Sequence, residues 1–274
     1  MRPFTPAASA LLLALSLGTP LAAPLAQPAD TTKVSTEPLF TIRDAWIAGG
    51  FALGTIAMFP LDKHLARKLQ DSTIQANRFF RHSATSVRVI TESAWYIGGG
   101  LYLVGRLSGQ DEMADLGLHG SEAVAVGLGL VTIGKALAGR ARPRVDVNDP
   151  GHFVVGKGWS HEEYRSFPSG HTVMAFSAAA AVTSEVSRFW PKQKYLIGTL
   201  MYGGAALTGG SRMFNNAHWA SDVLLGAAIG TFSGMKIVKY HHSHPGNKID
   251  EWLLGVQVVP MPDGSVALGY RIVR

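Results

Sequence analysis

Cysteine is absent from this 274-residue chain, which excludes a disulfide frame, a thiolate nucleophile and any cysteine-ligated metal. Charge is scarce as well, at 16% of residues against 47% hydrophobic. Such a chain is too apolar to be disordered and lean for an ordinary soluble surface. It has no tract of Lys or Arg, so its net charge of +6 suits an anionic small molecule or lipid surface, and no nucleic-acid partner is expected. Its apolar segments mostly fall short of the roughly 20 residues a membrane span needs. The mean hydropathy of +0.14 lies between a soluble domain and a set of continuous spans.

What is present begins with a signal-like start. Arg2 is the only charge before Asp30, and an apolar run from Ala7 to Leu17 leads to small residues at Ala22 and Ala23. Residues 1–23 read as a secretory signal peptide, with an uncleaved anchor helix as the alternative. The expected location is therefore outside the cytoplasm, periplasmic or associated with an envelope membrane. Residues 24–43 read as a linker. Six apolar segments rich in Ala, Gly and Leu follow within a helical domain, 44–240: Ala45–Pro60, Ala94–Gly105, Ala123–Gly139, Thr172–Val186, Tyr195–Gly210 and Val223–Val238. Their lack of alternation predicts helices, and Gly226 and Gly230 suit close helix approach. The polar stretch Asp62–Ser93 predicts one or two amphipathic helices. In the tail, 241–274, Leu254–Val259 and Val266–Val273 flank the turn signal Pro262-Asp263-Gly264. The expected fold is thus all-α, a bundle of about six core helices with a short C-terminal β-hairpin. Because the segments are short, a compact exported domain, associated with a membrane at most, is favoured over a spanning one.

Three patches carry chemistry, and helix counting puts them on one face of the bundle. Lys135 and Arg142 are seven residues apart, two helical turns, and Pro143 stops the helix. Adjacent cations repel unless an anion sits between them, and the guanidinium fork fits phosphate oxygens. Pro168-Ser169-Gly170-His171 precedes an apolar helix. Ser169 is a good N-cap residue, and the free N–H groups of a helix start bind anions. Ser211-Arg212 is followed by His218 and, four residues on, Asp222. A carboxylate on one imidazole nitrogen fixes the tautomer and leaves the other free to attack. Singly, each patch has a plain structural explanation: a basic helix C-terminus, a capped helix, a buried His–Asp pair. Together they form a set for phosphoryl transfer, with clamp, nucleophile and acid.

The order Lys-x6-Arg-Pro, Pro-Ser-Gly-His, Ser-Arg-x5-His-x3-Asp resembles the type 2 phosphatidic acid phosphatase and vanadium haloperoxidase superfamily. The resemblance covers Lys135 to Asp222 and continues along the next helix through Gly226 and Gly230. It implies a helical bundle and a phosphatase needing no metal or other cofactor. In that scheme Lys135, Arg142 and Arg212, with Ser169 and Gly170, hold the phosphate oxygens. His218 attacks phosphorus, Asp222 orients it, and His171 protonates the leaving oxygen. The expected substrate is a phosphorylated lipid, with a small organic phosphate as the alternative. A vanadium-dependent haloperoxidase and a non-catalytic envelope protein are the competing functions. The helix start and nearby cations are expected to pull the His171 pKa down, giving best activity at mildly acidic to neutral pH.

Two further groups are set aside. His241-His242-Ser-His244 offers metal ligands, but no acid or fourth ligand lies near it in sequence, so a solvated tail is expected. His152, Trp159, His161, Tyr164 and Phe167 are read either as the lining of a substrate entrance or as ordinary loop packing.

Overall fold

A computed structural model describes residues 38–244, 246–260 and 266–270. The expected signal peptide and the turn at Pro262-Asp263-Gly264 lie outside the described residues. The chain forms α1 (Ile42–Leu69), α2 (Ser72–Ala76), α3 (Arg78–Glu92), α4 (Ala94–Ser108) and α5 (Asp111–Ala138). A loop with two short 3₁₀ turns leads to α6 (Gly170–Phe189), α7 (Lys194–Phe214), α8 (Ala220–Ser243) and α9 (Lys248–Leu254). β1 (Val256–Pro260) and β2 (Val266–Tyr270) follow. The two strands pair antiparallel, with Val256 opposite Tyr270 and Val258 opposite Leu268.

The helices are longer than the apolar segments suggested. α1 and α5 each have 28 residues and α8 has 24, and all three are long and apolar enough to cross a membrane. The expectation of short helices is corrected here, because polar residues that pack inside the protein extend each helix past its apolar run. Pro60 does not end α1, which continues to Leu69. Beyond the proline, Asp62 is fully buried, and its carboxylate accepts from the Ser221 amide at 2.9 Å. Tertiary bonding holds the turn that proline would otherwise weaken. At the other end, Thr41 and Asp44 form a capping box, and Asp44 pairs with Lys236 of α8 at 2.5 Å.

Small residues build the centre. Gly230 and Gly234 of α8 meet α6 so closely that an added Cβ would lie 2.5 Å from the carbonyl oxygens of Val173 and Ser177. Ala179, Ala180 and Ala181 of α6 and Ala227 and Ala228 of α8 are buried around this seam. Large apolar side chains point outward instead: Trp46, Leu53 and Ile56 on α1, Tyr96 and Leu103 on α4, Leu130 and Ile133 on α5, Leu196 and Leu200 on α7. Such an inside-out distribution suits a lipid solvent, in which close backbone packing replaces burial of large side chains.

Candidate active site

The C-terminal end of α5, the N-terminal ends of α6 and α8 and the C-terminal end of α7 meet at one end of the bundle. They surround a cavity of about 350 Å³ whose wall includes Lys135, Arg142, Gly170, His171, Arg212 and His218. Six of the eight residues singled out in the sequence thus share one wall. The chain reaches Arg142 through Gly139, which ends α5 in the left-handed region at φ 59°. A Cβ there would lie 1.8 Å from the Val154 carbonyl oxygen, so the turn needs glycine.

His218 is 97% buried, with 3% of its surface exposed. Its Nδ1 lies 2.7 Å from the Ser166 carbonyl oxygen. A carbonyl only accepts, so Nδ1 carries the proton and Nε2 keeps its lone pair. Burial pushes the imidazole pKa down to about 3, outweighing the nearby Asp222 charge. The ring is therefore neutral at ordinary pH.

The His218–Asp222 relation is less direct than expected. Asp222 Oδ2 is 3.6 Å from Nδ1, and it instead accepts from Ser166 Oγ at 2.5 Å and the Trp219 amide at 2.8 Å. Asp222 thereby fixes Ser166, whose carbonyl holds the histidine. Behind it, fully buried Arg140 donates to Asp222 at 2.6 Å, to Ser221 at 2.7 Å and to Asp62 at 2.8 Å. The rings of Phe59, Phe153, Phe167 and Trp219 enclose the Arg140 guanidinium at 4.7 to 5.8 Å. Phe167 is thus packing, and none of His152, Trp159, His161, Tyr164 and Phe167 is on the cavity wall.

Ser169 sits at the N-cap of α6, yet its side chain makes no capping bond. Its buried hydroxyl accepts from Thr172 at 2.8 Å and is not part of the cavity wall. The first-turn N–H groups of α6 are left without a side-chain cap, as an anion site requires. Among the cations, Lys135 Nζ donates to the Arg165 carbonyl at 2.5 Å. Arg142 donates to the Ala217 carbonyl at 3.2 Å and is paired with Glu162. Among the described residues, Arg212 Nε is buried without a hydrogen-bond partner, so this donor is left for an added acceptor such as a phosphate oxygen.

His171 has a carboxylate partner of its own. Glu92, the last residue of α3, lies 3.0 Å from its Nε2. Burial first, then Arg212 and Lys135, lower the His171 pKa, and Glu92 opposes them. Glu92 itself is held below the usual carboxylate range, chiefly by that same bond. Sequence reasoning missed Glu92 because 79 residues separate it from His171.

Residues 118–244 match the sequence model of the PAP2 superfamily. Over 116 residues the chain is 36% identical to the Lipid A 1-phosphatase of Porphyromonas gingivalis, a match covering 42% of this chain and 22% of that protein. The chain thus spans about a fifth of that relative. Among solved structures, Aquifex aeolicus LpxE is 24% identical, with a TM-score of 0.45 and coverage of 66% of this chain and 96% of that one. A transmembrane PAP2 type phosphatidylglycerolphosphate phosphatase from Bacillus subtilis is 18% identical, with a TM-score of 0.33 and coverage of 68% and 94%. The matched stretch, 118–244, contains every residue singled out in the sequence as catalytic or phosphate-binding. Asp62 and Glu92, which buttress it, lie in front of it.

Proposed function

We propose that this protein is a membrane-embedded phosphatase that hydrolyses a phosphorylated lipid through a phosphohistidine on His218. The carrying observation is the Nδ1–H bond from His218 to the Ser166 carbonyl. It leaves Nε2 unprotonated on a cavity bordered by five cationic side chains, Lys135, Arg142 and Arg212 together with Arg144 and Arg165. In the proposed reaction Lys135, Arg142, Arg212 and the first-turn amides of α6 hold the phosphoryl oxygens. Nε2 attacks phosphorus, the ester P–O bond breaks, and His171 delivers its proton to the leaving alkoxide. Water, deprotonated by His171, then cleaves the N–P bond and releases phosphate. The cations supply the charge stabilisation, so the scheme calls for no metal ion. Asp222 acts through Ser166 and the electrostatic field.

Several features support a lipid substrate. The exposed apolar faces of α1, α4, α5 and α7 suit an acyl environment. An apolar cavity of about 300 Å³, lined by Ile90, Ala94, Ile97, Leu101, Leu116 and Met201 among others, includes Thr91, the neighbour of Glu92. Room for an acyl chain thus lies one residue from the carboxylate that holds His171. The relative named Lipid A 1-phosphatase points the same way. The signal-like first 23 residues support a place in the cell envelope.

The test is phosphate release by detergent-purified protein, with chelator present, from phosphatidic acid and from an aryl phosphate. Turnover of the lipid, an acid-labile phosphoenzyme on rapid quenching, and loss of both in His218→Ala are expected. Turnover without any phosphoenzyme would remove the covalent step. Activity only with vanadate and peroxide would replace the phosphatase by a haloperoxidase.

A further inference from the structure

The opposite end of the bundle holds a second cluster of titratable side chains that the proposed chemistry leaves unused. From His119 to Lys135 is 16 residues of α5, about 24 Å at 1.5 Å per residue. The expectation of a solvated histidine tail is overturned here. α8 runs on through Ser243, His241 is buried, and the acids that the neighbouring sequence lacks arrive from α5, α6 and α9.

The tautomers follow from the partners. His119 Nδ1 is 2.6 Å from Glu185 Oε1, so Nδ1 carries the proton. His241 Nε2 is 2.5 Å from Glu122 Oε2, so Nε2 carries the proton there. The remaining ring nitrogens, His119 Nε2 and His241 Nδ1, both face the same atom, Asp250 Oδ1, at 3.6 and 2.6 Å. The side chain of His119 is 2% exposed; among the described residues its Nε2 makes no hydrogen bond, and Asp250 Oδ1 meets the two rings through ion-pair contacts. Asn247 Nδ2 approaches His241 Nδ1 at 3.4 Å but gives shorter bonds to the His244 carbonyl and to Asp250 Oδ2, at 2.9 and 2.6 Å. Three atoms of metal-ligand type therefore lie within 4.8 Å of one another. Doubly protonated imidazoles would relieve that convergence poorly, since the two rings stack face to face with centroids 4.2 Å apart and would place like charges in contact.

We propose that His119 Nε2, His241 Nδ1 and Asp250 Oδ1 bind one divalent transition-metal ion, zinc by ligand type. Each histidine already donates its other N–H to a carboxylate, the outer-shell arrangement that orients metal-bound imidazoles. The ligands come from α5, α8 and α9, so the ion clamps α9 to the base of the bundle. The role is structural and remote from the phosphate cavity.

The experiment is zinc stoichiometry of the detergent-purified full chain by mass spectrometry, after dialysis against zinc and then buffer, with thermal unfolding in parallel. Cobalt is substituted to read the visible bands of a tetrahedral site. One equivalent of zinc and a higher unfolding temperature with metal are expected. His119→Gln and Asp250→Asn should lose the metal, and Glu185→Gln should weaken binding by roughly 10- to 100-fold. His242→Gln should keep it, because His242 belongs to a different grouping with His119 and Glu185. A folded wild-type chain that retains no zinc, or an Asp250→Asn variant with full occupancy, overturns the proposal. Loss in His242→Gln with retention in Asp250→Asn overturns this ligand set in favour of the other grouping. Should the histidine variants fail to fold, the cobalt spectrum of the wild type decides. No substrate enters these measurements, so their outcome is separate from that of the phosphatase assay.

Discussion

Glu92 tunes the proposed proton donor. His171 must be protonated to serve the leaving oxygen, so activity falls as pH rises through its pKa. Burial, Arg212 and Lys135 hold that value below the ordinary imidazole range, and Glu92 raises it. Glu92→Gln should therefore move the alkaline limb of kcat/KM to lower pH, with the acid side little changed because His218 stays neutral down to about 3. A limb that does not move would assign the proton to another group. Arg140 works behind the site, between the buried carboxylates of Asp62 and Asp222. Arg140→Met should cost about 3–5 kcal/mol in unfolding experiments, since it leaves both acids unpaired. Adding Asp62→Asn should recover part of that loss. Motif spacing exposed Lys135, Arg142, His171, Arg212 and His218, whereas Arg140, Ser166 and Glu92 needed the fold. Their partners are 82, 52 and 79 residues away in sequence, and no local pattern encodes such pairings.

Among the elements, the α6–α8 seam places both histidines, since each helix begins at the cavity. Gly226 and Gly230 were legible as close-packing positions from their residue type alone. Gly230→Leu would drive its side chain into the Val173 carbonyl and should destabilise by about 1–3 kcal/mol or more. His218→Ala at the helix start should leave stability far closer to wild type, so unfolding curves separate seam from chemistry. Helix ends were read less well than helix centres. α1 ran through Pro60 and α8 ran past Val238, in both cases because buried polar contacts continued the helix where apolar periodicity had stopped. α9 went unseen, as a seven-residue helix has too little periodicity to announce itself.

For the whole molecule, the outward-facing large residues and the three long apolar helices predict an integral membrane protein. The chain should stay with membranes through an alkaline carbonate wash and require detergent for release. Release by carbonate alone would show that the helices do not cross the bilayer. By itself the sequence determined the helical class, the common face of the three motifs and most of the side chains gathered around the cavity. Those features follow from short-range periodicity and from spacings within a turn or two of helix. Only the tertiary structure decided that Ser166 rather than Asp222 bonds His218, that Glu92 serves His171, and that buried His241 meets His119 and Asp250. Each of these depends on which distant helices pack together, and hydrophobic patterning specifies that packing as a surface to be buried, without naming the polar partners brought in with it.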